Sequence, residues 1–492
     1  MKNKLFYGDN LEVLRSKIKD ESVDLCYIDP PFNSKRTYNQ IYNNIGSEDR
    51  AQAQAFTDTW KWDDHAVAGF PQILANDGNR FTSQTIELIK GLHKVLKEGS
   101  MLAYIVHMTL RIVEIRRVLK PTGSFYLHCD PTASHYLKLV IDGIFVAGGG
   151  DFQNEIIWHY RRWTGAANRF LKMHDVIFFY TKGKAHTFNV QWTDYTEASL
   201  HRKKNYHTRI LGDDVFVTSV NKKGVKENDV WPIPVINSQA KERLGYPTQK
   251  PEALLEKIIL ASSNEGDCIL DAYCGCGTTI AVAERFKRKW IGTDITYQSI
   301  SLILRRLEGQ FGKDALENII LDGVPCDMES AYALANKKDD RVRKEFEKWA
   351  VLTYTNNRAI INEKKGADAG IDGTAYFQTG ATDNAKMVLQ VKSGGVGRGD
   401  IAKLRGDMAR EGAEMATLIT LEPSTEPMRK EAKGAGLYAH PLMLKNYDRI
   451  QIVTVQEIIE EHRRLELPMS LEVLKKAQAA VSDKQISLIP DE

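Results

Sequence analysis

Short apolar runs that end in an acid recur along this chain. Val23 to Ile28 runs into Asp29, Ser124 to Cys129 into Asp130, Cys268 to Leu270 into Asp271, and Trp290 to Thr293 into Asp294. Apolar runs of four to eight residues bounded by turn residues predict strands buried on both faces. Lys4 to Tyr7 predicts another strand, turning at Gly8-Asp9-Asn10 into a helix through Leu11 to Leu14. Two helical patterns fill Gln84 to Leu119, and another begins at Ser134. Lys120 to Gly123 reads as the turn between the second of these helices and its strand. Asn154 to Trp158 and His174 to Tyr180 read as further strands, and Leu254, Leu255, Ile258 and Ile259 as the stripe of a helix opened by Pro251. Strands alternating with helices predict an α/β fold.

The most informative junction is Asp271-Ala272-Tyr273-Cys274-Gly275-Cys276-Gly277-Thr278-Thr279, between a strand and the Ala-rich helical segment Ile280 to Arg285. Gly275 and Gly277 allow backbone to approach a ligand, and the helix start offers free N–H groups. Twenty-three residues beyond Asp271, the next strand ends at Asp294. A strand, glycine turn, helix, strand and closing carboxylate are the parts of a nucleoside-binding βαβ unit, in which the acid grips ribose hydroxyls. The turn alone also suits an ordinary βα loop, and the third glycine of the dinucleotide fingerprint is missing.

A second motif lies far upstream, Asp29-Pro30-Pro31-Phe32. The prolines stiffen the loop and lack N–H groups, their carbonyls remain acceptors, and Phe32 offers a stacking face. A proline turn ending a core strand would read the same way. An exocyclic amine on a base is a poor nucleophile. Bonds from its N–H groups to the Asp29 carboxylate and the Pro30 carbonyl would hold it and free its lone pair, and Phe32 would stack on a flipped base.

The two motifs together resemble the amino-methyltransferases of DNA. Their order resembles the β-group, in the Mod-like branch related to type III modification subunits. Leu119 to Phe145 and the segment Thr248-Gln249-Lys250-Pro251 carry the same resemblance, which extends over residues 1 to about 320. Ala272 and Tyr273 depart from the Pro-Phe usual at the glycine turn. The resemblance implies a permuted Rossmann-like sheet that binds S-adenosylmethionine through Asp9, Thr248, Lys250, Asp271, Tyr273, Gly275, Gly277, Thr278 and Asp294. It implies a base pocket at Asp29, Pro30, Pro31 and Phe32. Asp9 would follow in space the strand ending at Asp294 and accept from the adenine amine of the cofactor, and His128 and Asp130 would stand at the rim of the sheet. A buried core histidine is the equal alternative for His128. Asp before Pro-Pro favours adenine N6 over cytosine N4, although the local chemistry suits either amine.

Residues 33–83 are polar, with Trp60 and Trp62, and read as a long loop that either closes over the site and touches DNA or lies on the surface. Residues 155–245 hold the basic, aromatic stretches Tyr160 to Gly165, His201 to His207 and Lys222-Lys223. The resemblance implies a target-recognition region there, with Arg and Lys on phosphates. Such a run is otherwise a solvated face.

The methyltransferase pattern covers 1–325; 326–342 reads as a linker, 343–450 as a second domain and 451–492 as a helical tail. Asp372 heads a strand from Thr374 to Phe377, and Met387 to Ser393 forms its hairpin partner with Gln390 and Lys392. Asp372 and Gln390 could hold Mg²⁺ while Lys392 steadies an attacking water. This resembles the Mrr-like branch of PD-(D/E)xK restriction endonucleases, with Gln390 where most relatives carry Glu. Glu345 or Glu347 would complete the set, and Asp368 is the alternative acid. A degenerate domain kept for DNA binding is the competing reading.

Composition adds limits. The 492 residues carry 42% hydrophobic and 27% charged residues and a net charge of +3. A globular chain of two or three domains is expected, with no membrane span and no apolar signal core after Met1. The six cysteines lack zinc-ligand spacing, and the expected compartment is a reducing cytoplasm. Double-stranded DNA is the expected partner. Any basic surface is local, a homodimer is left open, and ATP-driven cleavage would require a separate restriction or helicase subunit because no Walker motif is present. Three readings follow: a combined restriction–modification enzyme, a methyltransferase whose second domain grips DNA, and a DNA-binding protein without catalysis.

Overall fold

The computed structural model describes residues 2–31, 62, 64–161, 168, 170–195, 209–211, 214–216, 223–237, 239–244, 246, 248–336, 340–362, 370–380, 383–443 and 445–469. Phe32, Trp60, Arg162 to Gly165, His201 to His207, Lys222, Asp368 and residues 470–492 lie outside these.

The chain opens with β1 (Asn3–Tyr7), α1 (Asn10–Lys17) and β2 (Val23–Ile28). Within the stretch expected as a loop, Asp64–Ala75 forms a helix, α2. Ala66, Phe70 and Ile73 repeat at helical spacing, and Gly69 brings this helix so close to Val106 and Leu110 that a Cβ would sit 3.0 Å from each. Trp62 packs against Phe70 and His93, toward the core. Then follow α3 (Ser83–Leu96) and α4 (Ser100–Val118). Helix α4 is buried nearly all round and includes Glu114, 1% exposed, which is paired with Arg15, Arg80 and Arg117. Three guanidiniums on one buried carboxylate supply the compensation that an isolated charge would lack.

β3 (Leu119–Cys129) begins five residues before the expected boundary, because the Lys120–Gly123 turn joins the strand through a bulge against β2. α5 (Ser134–Ile141), a short π-helical extension, β4 (Asp151–His159) and β5 (His174–Thr181) follow. Two small ribbons pair β6 (Trp192–Thr193) with β9 (Val225–Lys226), and β7 (Arg209–Leu211) with β8 (Asp214–Phe216). β10 (Val230–Pro232), α6 (Glu252–Ser262), β11 (Cys268–Asp271), α7 (Thr278–Arg285), β12 (Lys289–Asp294), α8 (Tyr297–Phe311), the one-turn α9 (Asp314–Glu317) and β13 (Ile319–Asp322) complete this part.

Nine of these strands form one sheet in the order β10-β4-β5-β3-β2-β11-β12-β1-β13. All neighbours are parallel except β5, which runs antiparallel to both β3 and β4. The sheet is therefore mixed α/β, with the β2 motif placed in the chain before the β11 motif. Because β1, β2, β3, β4, β11 and β12 point the same way, Asp9, Asp29, Asp130, Tyr160, Asp271 and Asp294 gather at one edge, the usual ligand side of such a sheet.

The expected linker contains α10 (Met328–Ala335), capped by Asp327. The second sheet has the order β14-β15-β16-β17-β20, built from β14 (Ala359–Ile361), β15 (Gly373–Gln378), β16 (Asn384–Lys392), β17 (Met415–Thr420) and β20 (Ile450–Thr454). It is flanked by α11 (Asp340–Tyr354), α12 (Arg398–Arg410), α13 (Glu426–Lys433) and α14 (Val455–Ile459), with a side ribbon of β18 (Leu437–Ala439) and β19 (Asn446–Asp448). The expected tail is thus not helical where it begins. β20 pairs in parallel with β17, and Leu465 and Leu467 remain in the core. One apolar cluster runs from Tyr297, Ile300 and Ile303 into Phe346, Trp349 and Val351, so the two sheets share packing across α8 and α11. Among the described residues no helix is long and apolar enough to cross a membrane.

Candidate functional site

The glycine turn lies between β11 and α7 as the sequence predicts. Gly275 and Gly277 have φ of +47° and +72°, a region that L side chains rarely adopt, and a Cβ on Gly277 would come within 2.7 Å of Ile303. Helix α7 starts at Gly277 without a side-chain cap, leaving its first amides directed at the turn. Asp294 reaches across from β12 and accepts from the Gly275 N–H at 2.9 Å and the Thr296 N–H at 3.0 Å. Asp271 accepts from the Tyr273 N–H at 3.0 Å. Both acids are almost fully buried. Burial pushes the Asp271 carboxyl up to about 7, against hydrogen bonds from Thr279 and the Tyr273 N–H. Burial pushes Asp294 up to about 6, against the donors of Thr296, Gly275 and Ser299. Two buried acids beside an uncapped helix start fit a ligand that brings hydroxyl donors, positive charge and an anionic end.

Tyr7 and Asp294 are direct neighbours in the sheet, and Gly8 N–H bonds the Asp294 carbonyl at 2.9 Å. Asp9 does stand beside the β12 end, but both its oxygens are engaged. One caps α1 through the Leu11 N–H at 2.8 Å, and the other accepts from Arg111 at 2.8 Å. Asn10 carries the connection onward, bonding the Ala272 carbonyl at 2.8 Å while Arg111 bonds Asn10. Tyr273 rests its hydroxyl 3.1 Å from His107 Nε2. Asn10, His107 and Arg111 support this pocket and were not singled out from sequence. A cation buried in a helix that is apolar on every side was the available signal.

Asp29 follows β2, next to β11 in the sheet, with Pro30 buried behind it. Its carboxylate meets the ammonium of Lys250, in the loop that leads to α6. The Lys250 carbonyl accepts from the Thr278 hydroxyl at 3.3 Å, and Arg306 donates to the same hydroxyl at 3.1 Å. Lys250, expected only at the cofactor pocket, therefore touches both motifs. Thr248 is half-buried, with its carbonyl 3.5 Å from the Lys250 ammonium.

Behind Asp29 lies a buried polar chain. His128 is 0% exposed; its Nδ1 lies 2.9 Å from Tyr27 Oη and 4.0 Å from Asp29, and its Nε2 lies 3.3 Å from Asp175. Asp175 also accepts from Tyr160 Oη at 3.0 Å, and Trp158 meets the imidazole edge-on at 5.5 Å between ring centres. Burial raises the Asp175 carboxyl, but the hydrogen bond and charge of His128, with the charge of Lys250, outweigh it and hold the group below its usual range. His128 is thus a satisfied buried histidine that also stands 4.0 Å from Asp29. Asp130 instead closes its own turn on Thr132. Asp175 and Tyr27 went unrecognised because their strands read simply as core, and Tyr160 was assigned to the basic aromatic stretch that follows β4.

In the second domain, β15 and β16 form the expected hairpin. Asp372 accepts from the Val391 N–H at 2.7 Å, and Gln390 donates to the Gly370 carbonyl at 2.6 Å. Burial and then the charge of Glu347 push Asp372 up to about 7, while the charge of Lys392 opposes them. Burial likewise raises Glu347. Of the two candidate acids, Glu347 faces this centre, whereas Glu345 bonds the Tyr297 N–H of the first domain at 2.8 Å. Among the described residues no group of three or more His, Cys, Asp or Glu gathers as a metal site.

The first domain is an α/β fold with two adjoining motifs at the carboxyl edge of its sheet, the glycine turn and Asp29-Pro30-Pro31. Residues 23–305, more than half of the chain, match the family described as DNA methylase, N6_N4_Mtase, and the chain belongs to that family. It is 33% identical over 207 residues to the type II methyltransferase M.HpaI of Haemophilus parainfluenzae, spanning 42% of this chain and 60% of that one. It is 28% identical to the type II methyltransferase M.BamHI of Bacillus amyloliquefaciens, over 59% of this chain and 54% of that protein. The chain therefore spans under two thirds of both relatives. With the DNA adenine methyltransferase YhdJ of Escherichia coli it shares 29% identity, over 62% of this chain and 82% of that one. Among solved structures, the PvuII DNA methyltransferase (cytosine-N4-specific) aligns over 65% of this chain and 92% of that one, with 15% identity and a TM-score of 0.38. Residues 342–460 match the family described as NACHT-associated inactive Restriction Endonuclease 1. The restriction-endonuclease-like character expected of this region agrees with that match. The Mrr-like assignment and the Mg²⁺-dependent cleavage gain no support from it.

Proposed function

We propose that the chain methylates the N6 amine of adenine in double-stranded DNA, with S-adenosylmethionine as the donor. The observation that carries this reading is the adjacency of Asp29-Pro30-Pro31 to the glycine turn, with Lys250 in contact with both. The donor, when bound, supplies an electrophilic methyl group on a sulfonium. The buried acids suit it: Asp294 as an acceptor for ribose hydroxyls, and Asp271 as a counter-charge. Tyr273, Gly275, Gly277, Thr278 and Thr248 would shape the rest of that pocket. Asp9, already engaged with Arg111 and α1, would accept from the donor's adenine amine only through its remaining lone pairs.

At the second pocket, Asp29 and the Pro30 carbonyl would accept the N–H groups of a flipped base. Drawing these protons toward the two acceptors, out of the base plane, would take the lone pair out of conjugation and turn it toward the methyl. The donor would give its methyl to the amine nitrogen and keep the S–C electron pair on sulfur, and Asp29 would pass the surplus N–H proton to solvent. Pro31 stiffens the loop and Phe32 would stack on the base. Residues 155–245 would read the target. Adenine is favoured over cytosine N4 by Asp rather than Ser before Pro-Pro, and by the described specificity of YhdJ. The test is incubation of the purified chain with unmethylated DNA and the donor, followed by nucleoside mass spectrometry. N6-methyladenine supports the reading; N4-methylcytosine overturns its base assignment.

For the second domain the observations favour a reading without cleavage. Gln390 stands in place of a carboxylate, Asp372 is pushed up to about 7, and the matching family is described as inactive. Strand breaks that need Mg²⁺ and vanish in Lys392→Ala would overturn this and restore the restriction–modification reading.

A further inference from the structure

Helix α11 belongs to the second domain, yet it faces two sites. Glu345 and Glu347 lie two positions apart, so they project roughly 200° apart around the helix. Glu347 turns to Asp372 and Lys392. Glu345 turns to the first domain, where its Oε2 accepts from the Tyr297 N–H at 2.8 Å and its Oε1 is held by Lys348 at 2.9 Å. The peptide it grips joins Thr296 to Tyr297. Thr296 is the residue whose N–H holds Asp294 Oδ1 at 3.0 Å, and it also caps α8. A second hold comes from the same helix, as Thr353 Oγ1 lies 3.1 Å from Tyr297 Oη. Tyr297 is 3% exposed and meets Tyr7, the sheet neighbour of Asp294, edge-on at 5.9 Å. The charge of Glu345 reaches Tyr7 as well, adding to burial in raising that phenol.

We propose that Glu345 is a positioning residue for the methyl-donor pocket: it fixes the 294–297 loop, and so makes the second domain a working part of the first domain's cofactor site. The proposal rests on the reading of Asp294 as the donor's ribose acceptor. A carboxylate that satisfies the first amide of a helix acts as a cap. Losing such a contact shifts a local equilibrium by up to about thirtyfold.

The test measures S-adenosylhomocysteine binding to the full-length chain by calorimetry, alongside melting temperature and kcat at saturating donor. Glu345→Ala should weaken binding by about threefold to thirtyfold and raise the KM for the donor while leaving kcat near the wild-type value. Glu345→Gln, which keeps an acceptor for the Tyr297 N–H, should recover part of the loss. Arg358→Ala breaks another contact between the domains, with Glu308 at 2.7 Å, about 16 Å along α8 from the loop. It should lower the melting temperature without moving donor affinity. If Glu345→Ala does not fold, Glu345→Gln and Thr353→Val decide in its place. Wild-type affinity in the folded Glu345 variants, or an equal loss in Arg358→Ala, overturns the proposal. No binding by the wild-type chain overturns the donor-site reading together with it, which separates the two failures.

Discussion

Replacing Asp294 by Asn should flatten the pH dependence of stability and remove donor binding together. In the folded chain this carboxyl titrates at about 6, against 3.8 for an ordinary aspartate. The folded state therefore keeps its proton where the unfolded state has lost it. The contribution of this group to stability is fullest below about pH 4, falls as pH rises toward 6, and is level above. At about 1.4 kcal/mol per pH unit the shift corresponds to about 3 kcal/mol. Asn cannot titrate, so the stability difference, variant minus wild type, should climb by about 2 kcal/mol between pH 4.5 and pH 8. Its absolute value is offset by a cost. Asp294 accepts from both the Gly275 and Thr296 N–H groups, and an amide can accept only on one side. The other donor is left buried and unpaired, at about 1–3 kcal/mol. The assay is urea unfolding of both proteins from pH 4.5 to 8, with S-adenosylhomocysteine titrations over the same range. Wild-type affinity should rise about tenfold per unit up to about pH 6, because the ribose acceptor must be ionised. Parallel stability curves, or a wild-type affinity that does not change between pH 5 and 7, would refute the argument.

Asp29→Ala should abolish methyl transfer while S-adenosylhomocysteine still binds; retained methylation would overturn the base pocket. Asp175→Asn removes a carboxylate that His128 and Tyr160 both use. A charge-assisted bond of about 1.5–3 kcal/mol predicts a kcat loss of about tenfold to a hundredfold at saturating donor. A lowered melting temperature with unchanged kcat would confine Asp175 to folding. Gly277→Ala places a Cβ 2.7 Å from Ile303 at a φ of +72°. Thermal unfolding should report about 1–3 kcal/mol of destabilisation, and a neutral result would mean that the turn relaxes freely.

What was legible in the sequence follows from locality. A buried strand, its closing acid and the glycines after it lie within a dozen residues, so Asp29, Asp271, Gly275, Gly277 and Asp294 could be placed at one sheet edge before any coordinates. Partners that arrive from distant strands could not. β5 pairs antiparallel with β3, and the register of His128 on Ile177 leaves Asp175 just past the end of the ladder, under the imidazole. Nothing in His174 to Tyr180 alone marks Asp175 as different from any strand-opening acid. Likewise Ile450 to Thr454 is a strand only because β17, some thirty residues earlier, offers a parallel edge. Read locally, it disappears into the Glu- and Arg-rich helix pattern that follows. The resemblance gave Lys250 to the cofactor site alone, whereas its long side chain crosses to Asp29.

The second domain keeps the frame of a nuclease while its charges point elsewhere. Divalent cations bind deprotonated oxygen ligands, and binding must expel any proton held there. Here burial raises both Asp372 and Glu347, and the charge of Glu347 raises Asp372 further, to about 7, so a cation would have to displace a proton from Asp372 near neutral pH. The third position, Gln390, supplies no charge and spends its amide on Gly370. Lys392 lies close enough to lower both acids, which answers their charge internally. On the opposite side of the same helix, Glu345 and Thr353 are committed to Tyr297. A domain retained only to cut DNA would gain nothing from that second set of contacts. A domain retained to brace the loop beyond β12 would need it, and could lose a metal-binding carboxylate without consequence for that role.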